Sequence, residues 1–181
     1  MVEDFKVENV VASVTLHMDI PLEKMAMTLV NTEYNPEQFP GLVLRLKHIG
    51  ITALVFSSGK LVCTGAKSEE MVGVGVEEIL KELKKIGLSM AKGTKPEITI
   101  QNMVASGNLH LLLNLNKLAF KLPNAEYAPE TFPGLVYKVP DSHITFLLFG
   151  TGRIVCTGAK NVGEVSSSVK ELKKTVQALM K

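Results

Sequence analysis

The chain has 181 residues, of which 46% are hydrophobic and 21% charged, with a formal net charge of +2. That length allows one ordinary domain or two small ones, and near-neutrality excludes nucleic-acid binding driven by bulk charge alone. Two cysteines, Cys63 and Cys156, are too few for a disulfide framework and lack metal-ligand spacing, so packed, reduced thiols are expected.

No apolar run approaches the length of a membrane span, and Met1 is not followed by a signal peptide. A soluble, intracellular protein with no membrane partner is expected. In chain order, "NVVASVTLHM" from Asn9 reads as a β-strand, and "PLEKMAMTLV" as a short helix with Pro21 opening its first turn. The polar stretch "EYNPEQFPGL" follows, and then three strands in "GLVLRLK", "ITALVFSS" and "KLVCTGAK". Gly59 in "SSGK" supplies a tight turn between two of them.

A long helix closes this stretch. Ser68 is its candidate cap, and Val72, Val76, Ile79, Leu83 and Ile86 form one apolar stripe with Glu and Lys opposite. Gly73 and Gly75 in "VGVGV" match no phosphate-loop spacing and should weaken the helix start by about 1 kcal/mol each relative to alanine.

After the connecting "GLSMAKGTKPEIT" the same series begins again. Phe39 and Phe132 are separated by 132 − 39 = 93 positions, and the same offset links Asn9 to Asn102, Phe56 to Phe149, Gly59 to Gly152 and Lys67 to Lys160. "MVASGNLHLLL" answers the first strand, "NLNKLAFKL" with Asn114 as cap the short helix, and "GTGR" the turn. The closing stripe recurs as Val165, Val169, Leu172, Val176 and Leu179, with Asn161 as cap. The chain is therefore read as a direct tandem duplication: residues 1–88, a connector over 89–100, and residues 101–181. Two copies are too few for a solenoid. Two halves related by a pseudo-twofold axis are expected.

Each half offers about five strands, one short helix and one long one. Two long helices cover one face of a ten-stranded sheet, not both. A sheet wetted on one side should alternate apolar and polar residues. Here Ala53 and Val55 point one way and Leu54 and Phe56 the other, while Cys63 lies opposite Val62 and Thr64. One face is then open and apolar, lightly decorated by Asn9, Ser13, Asn102 and Ser106, and such a surface marks a binding site. No nucleophile–base pair, carboxylate pair or metal cluster is visible, so neither an enzyme nor a cofactor is expected. His17 and His110 are equivalent positions read as strand-end residues.

The paired "FPGL", the segments "SSGKLVCTGAK" and "GTGRIVCTGAK", and the "QNMVAS" strand together resemble the TATA-box-binding protein family in its archaeal form. The resemblance covers both repeats. It implies an α+β saddle, a curved antiparallel sheet of about ten strands with helices on the convex face and A·T-rich promoter DNA under the concave one. Phe39 and Phe56, and Phe132 and Phe149, would wedge into two base steps from the minor groove, giving the bend of about 80° known for this family.

Base contacts would come from Asn9, Asn102, Thr64 and Thr157, which donate to acceptors, and from Val11, Val62, Val104, Val155, Leu54 and Leu147. These aliphatics offer the guanine amine no acceptor, so readout is A·T against G·C. Phosphates would be met by Arg45, Lys60, Lys67, Lys138, Arg153 and Lys160, with Ser58 and Thr151 helping. So few charges imply a shallow salt dependence.

Implied partners are transcription factor B, docking near Glu130, and RNA polymerase indirectly. The open sheet leaves room for a homodimer when DNA is absent, and the implied location is the archaeal cytoplasm, associated with the nucleoid. Several positions depart from the family pattern. Lys138 stands where arginine is usual, Ala128 replaces a glutamate of the docking site, "KHIGIT" and "PDSHIT" lack the usual Pro-Lys, and there is no acidic C-terminal tail. The alternative reading is a divergent paralogue, a protein-interaction or ligand-binding saddle that no longer binds DNA.

Overall fold

The structure is a computed structural model and describes residues 4–181. The described residues form ten strands and four helices. In the first copy these are β1 (Phe5–Thr15), α1 (Leu22–Thr28), β2 (Thr32–Tyr34), β3 (Leu42–Leu46), β4 (Ile51–Val55), β5 (Lys60–Ala66) and α2 (Glu69–Lys84). The second copy repeats the series as β6 (Glu97–Asn108), α3 (Leu115–Lys121), β7 (Ala125–Glu126), β8 (Leu135–Lys138), β9 (Thr145–Leu148), β10 (Arg153–Ala159) and α4 (Val162–Leu179). Strand order is β2-β3-β4-β5-β1 in one copy and β7-β8-β9-β10-β6 in the other, with antiparallel pairing. No described helix is long and apolar enough to cross a membrane.

Compact units and sequence repeats are cut at different places. One unit is Asn9–Gln101, and the other is Asn102–Lys181 together with the stretch ending at Glu8. Each unit therefore holds the opening residues of the other copy's first strand. A histidine meets an acid at each such site. In the Asn102–Lys181 unit His110 Nε2 lies 2.8 Å from Asp4 Oδ2, and in the Asn9–Gln101 unit His17 Nε2 lies 3.5 Å from Glu97 Oε2. Both histidines have φ of 57°, so their side chains leave the strand ends in a left-handed turn. These positions are the strand ends that the sequence indicated.

The helices follow their local chemistry. Ser68 Oγ accepts from Met71 N at 3.2 Å, Asn161 Oδ1 from Glu164 N at 2.8 Å and Asn114 Oδ1 from Lys117 N at 3.1 Å. Pro21 occupies the cap position of α1 rather than its first turn, and its carbonyl accepts from Met25 N. Within α2, Val72, Val76, Ile79 and Leu83 are buried against the sheet, each worth roughly 1.5–3 kcal/mol relative to exposure. Ile86 is buried too but lies past the helix end, in the turn that Gly87 closes with φ of 84°. In α4 the first four stripe residues are buried and Leu179, in the last turn, is half-buried.

Burial along the strands separates the two faces. Val10, Ala12 and Val14 of β1, Leu42, Leu44 and Leu46 of β3, Ile51, Ala53 and Val55 of β4, and Leu61 and Cys63 of β5 are buried. Their alternating neighbours are not. The second copy does the same, with Phe146 as its largest fully buried side chain.

Candidate nucleic-acid interface

In the Asn9–Gln101 unit, strand register sets the unburied residues in rows. Ser13 pairs with Val62, Val62 with Leu54, and Leu54 with Val43. The adjacent row runs Thr64, Thr52, Arg45. In the Asn102–Lys181 unit the rows are Ser106, Val155, Leu147, Val136 and Thr157, Thr145, Lys138. Every residue is the offset equivalent of its counterpart. Each half-buried aliphatic row is thus flanked by hydroxyls and ends beside a cation, and the pleat puts all of them on one side. Val11 and Val104 are half-buried at the same parity.

Asn9 and Asn102 are held by a sheet irregularity. Register slips between β1 and β5, because Thr64 and Gly65 together oppose Val11. Gly65 adopts φ of +99°, and a Cβ there would lie 2.4 Å from the Gly50 carbonyl oxygen. Its N–H is turned out of the ladder and donates to Asn9 Oδ1 at 2.7 Å. Asn9 Nδ2 then points at Thr64 Oγ1, 3.2 Å away, keeping a further N–H for a ligand. The second unit repeats this: Gly158 N donates to Asn102 Oδ1 at 2.7 Å, and Asn102 Nδ2 meets Thr157 Oγ1 at 3.3 Å. The bulge was not visible in the sequence, although the glycine of each "TGAK" is its signal.

The rings sit where the strands end. Phe56 follows β4, two residues beyond Leu54, and Phe39 closes the loop before β3. Phe39 is 41% exposed and Phe132 38%, whereas Phe56 and Phe149 are half-buried. Each pair packs edge to face, with centroids 5.8 Å apart for Phe39–Phe56 and 6.0 Å for Phe132–Phe149. The loops beneath are matched as well. Asn35 O accepts from Phe39 N at 3.0 Å, and Ala128 O accepts from Phe132 N at 2.9 Å. Glu130 is exposed in the second loop, two residues before Phe132. A hollow of about 560 Å³ opens next to Phe149, lined by Ser106, Pro133, Thr151, Arg153 and Val155.

Of the remaining polar residues proposed from the sequence, Lys60, Lys67, Lys138, Arg153, Lys160, Ser58 and Thr151 are exposed. Thr151 Oγ1 accepts from Arg153 N at 3.4 Å within the turn. Arg45 is engaged: its Nη1 lies 3.1 Å from Glu33 Oε2. Sequence reasoning missed Glu33, Val43 and Val136, and it missed Glu8, whose Oε1 accepts from Ser106 Oγ at 2.7 Å. On the buried side, burial pushes the Cys63 thiol up to about 11, and burial followed by the Glu164 carboxylate does the same for Cys156.

Comparison with known proteins adds an independent line. The family model described as "Transcription factor TFIID (or TATA-binding protein, TBP)" matches residues 4–86 and again 97–179. A TATA-box-binding protein of Pyrobaculum islandicum is 46% identical over 93% of this chain and 83% of its own length. The TATA-box-binding protein of Methanocaldococcus jannaschii is 44% identical over 98% of this chain and 96% of its own. Among solved structures, "Methanococcus jannaschii TBP" superposes with a TM-score of 0.90 at 43% identity, covering 97% of this chain and 99% of that one.

Proposed function

The chain belongs to the TATA-binding protein family, and from that premise we propose that it is a general transcription factor that binds A·T-rich TATA DNA from the minor groove, kinks it by inserting phenylalanine rings and nucleates assembly of an initiation complex. The family is one of DNA-binding transcription factors, not of enzymes. The observation that carries the finer reading is the pairing, in each unit, of an unburied aliphatic row with an outward-facing ring pair.

Each ring pair wedges into one base step, at a cost of roughly a few kcal/mol per step, and the kinked duplex then covers the aliphatic rows. The remaining N–H of Asn9 and of Asn102 donates to the minor-groove acceptors of A·T pairs. Val11, Val62, Val104, Val155, Leu54 and Leu147 leave a guanine amine without a partner. Thr64 and Thr157 hold the asparagine amides and share the donor role. Lys60, Lys67, Lys138, Arg153 and Lys160 meet phosphates with the hydroxyls of Ser58 and Thr151, and Arg45 does so by exchanging Glu33 for a phosphate. Few charges contribute, so affinity falls only gently with salt.

On this reading the loop carrying Glu130 docks transcription factor B beside Phe132, although Ala128 removes one acidic contact. RNA polymerase follows through that factor. The DNA-free protein self-associates through its open apolar face, and it works in the cytoplasm at the nucleoid. A divergent paralogue that has lost DNA needs neither ring pairs with one exposed member each nor oriented amides, which favours the DNA-binding reading over it.

Inosine provides the test. An inosine·cytosine pair has the major-groove pattern of G·C but lacks the N2 amine, so its minor groove matches A·T. A fully inosine·cytosine-substituted element should bind within a few-fold of the A·T-rich element, with G·C far weaker. Equal rejection of inosine and guanine would overturn minor-groove readout.

A further inference from the structure

The second copy carries an exposed apolar patch that DNA binding does not use. Phe120 of α3 is 95% exposed and Leu112, just before that helix, is 81% exposed. Leu112 also lines a groove of about 470 Å³ with Leu111, Val176, Gln177, Met180 and Lys181. Lys121 Nζ donates to Leu179 O at 3.2 Å, so the Lys117–Lys121 stripe of α3 faces the end of α4 where the groove opens. All of this lies within the Asn102–Lys181 unit.

Basic residues predominate in the two chain stretches that border the groove, and the acid the structure places next to them, Asp4, is held by His110. No acidic residue occurs from Leu109 to Ala125, nor from Leu172 to Lys181, whereas those two stretches contain Lys117, Lys121, Lys173, Lys174 and Lys181. Their ammonium groups meet no carboxylate among the described residues. Two lysines near the end of the first long helix differ: Lys81 of α2 pairs with Glu78, and Lys85, just past the helix, with Glu82.

The duplication supplies an internal comparison. Subtracting 93 takes Leu112 to Asp19, Asn116 to Glu23, Phe120 to Met27 and Lys121 to Thr28. The first copy keeps a lysine, Lys24 for Lys117, and an exposed apolar side chain, Met27, but adds two acids and has no aromatic at those points. The fold itself therefore does not require the second copy's acid-free, aromatic surface. We propose that the α3–α4 end of the second copy is a docking surface for an acidic segment of a partner protein that carries leucine or phenylalanine side chains. Its apolar residues would cover Phe120 and enter the groove past Leu112, and its carboxylates would meet Lys117, Lys121 and Lys181.

The probe is a fluorescein-labelled peptide of about 20 residues alternating Asp or Glu with Leu and Phe, titrated with the full chain and read by anisotropy. Two control peptides replace its apolar residues by Ser or its acids by Lys. Binding at least tenfold tighter than either control is expected. Leu112→Ser with Phe120→Ser should weaken it at least tenfold, whereas Asp19→Ser with Met27→Ser changes it less than twofold. Both sets of residues are at the surface, so thermal melts should coincide with the parent, and binding to an A·T-rich element should be unchanged by either double variant. No binding of the acidic peptide overturns the proposal, as does binding insensitive to the Leu112 and Phe120 changes. Phe120-dependent binding to phosphatidylglycerol vesicles without peptide binding would also overturn it, by assigning the patch to a membrane surface.

Discussion

Phe39 stands edge-on to Phe56, with ring centroids 5.8 Å and planes 67° apart, and both rings lie over the α-carbon of Gly41. A Cβ on Gly41 would sit 2.7 Å from Phe39 Cε2 and 3.0 Å from Phe56 Cε1. The second pair covers Gly134 with the same separations, 2.7 Å to Phe132 and 3.0 Å to Phe149. This relationship explains the glycine that follows each Phe-Pro pair.

Gly41→Ala is therefore expected to push the ring pair aside without unfolding the strand behind it. Since the clash is with ring edges at the surface, stability should change by no more than about 1 kcal/mol. Binding to an A·T-rich element should fall at least tenfold. Chemical denaturation and an anisotropy titration of the same variant check both halves.

The two asparagines combine a structural acceptor with a free donor, and substitution separates the roles. Asn9→Asp keeps an oxygen for the Gly65 N–H and should change stability by less than about 1 kcal/mol. Asn9→Leu strands that N–H and should cost roughly 1–3 kcal/mol. Both remove the donor, so both should weaken A·T binding. An Asp variant that binds like the parent would show that the amide only supports the bulge.

These two cases mark where the sequence was legible and where it was not. The stripe at Val72, Val76, Ile79 and Leu83, the caps at Ser68, Asn114 and Asn161, and the two faces of β4 and β5 rest on short-range periodicity, and all were readable. Ile86 kept the helical spacing although the helix had ended, because a buried turn wants an apolar residue as much as a helix does. The bulge at Gly65, the clasp of Asp4 with His110 and the Glu33–Arg45 pair join residues far apart in sequence or depend on register, which periodicity cannot supply. The rings were singled out by the offset of 93 that repeats them together with the family resemblance that gave them a role.

The helix start holds a paired prediction. Nothing lies within 4 Å of a Cβ built on Gly73, whereas one on Gly75 would be 2.9 Å from Ile51 Cδ1. Gly73→Ala should stabilise the protein by about 1 kcal/mol through helix propensity. Gly75→Ala should gain less or lose, because Ile51 of β4 has to give way. Urea midpoints of the two variants, compared with the parent, decide the order.

The buried thiols predict alkaline behaviour. In the folded chain both are raised to about 11 from the ordinary 9.0, so the folded state holds these protons more tightly than the unfolded one. The contribution is fully present below about pH 9 and is lost as pH rises through 11. Stability should fall across that window. Burial also raises Tyr137, so part of the fall should survive in Cys63→Ala with Cys156→Ala. The double variant should lose less stability than the parent between pH 9 and pH 11 in urea titrations. Equal slopes would contradict the assignment.

The central claim is that the two ring pairs open two base steps of one duplex. Energy transfer between dyes at the ends of a short A·T-rich duplex reads the bend directly. With saturating parent protein the end-to-end distance should shorten sharply, while Phe56→Ala with Phe149→Ala should bind more weakly and leave the duplex nearly straight, its fold intact by circular dichroism. A folded double variant that still bends the duplex to the parent's distance would contradict the account.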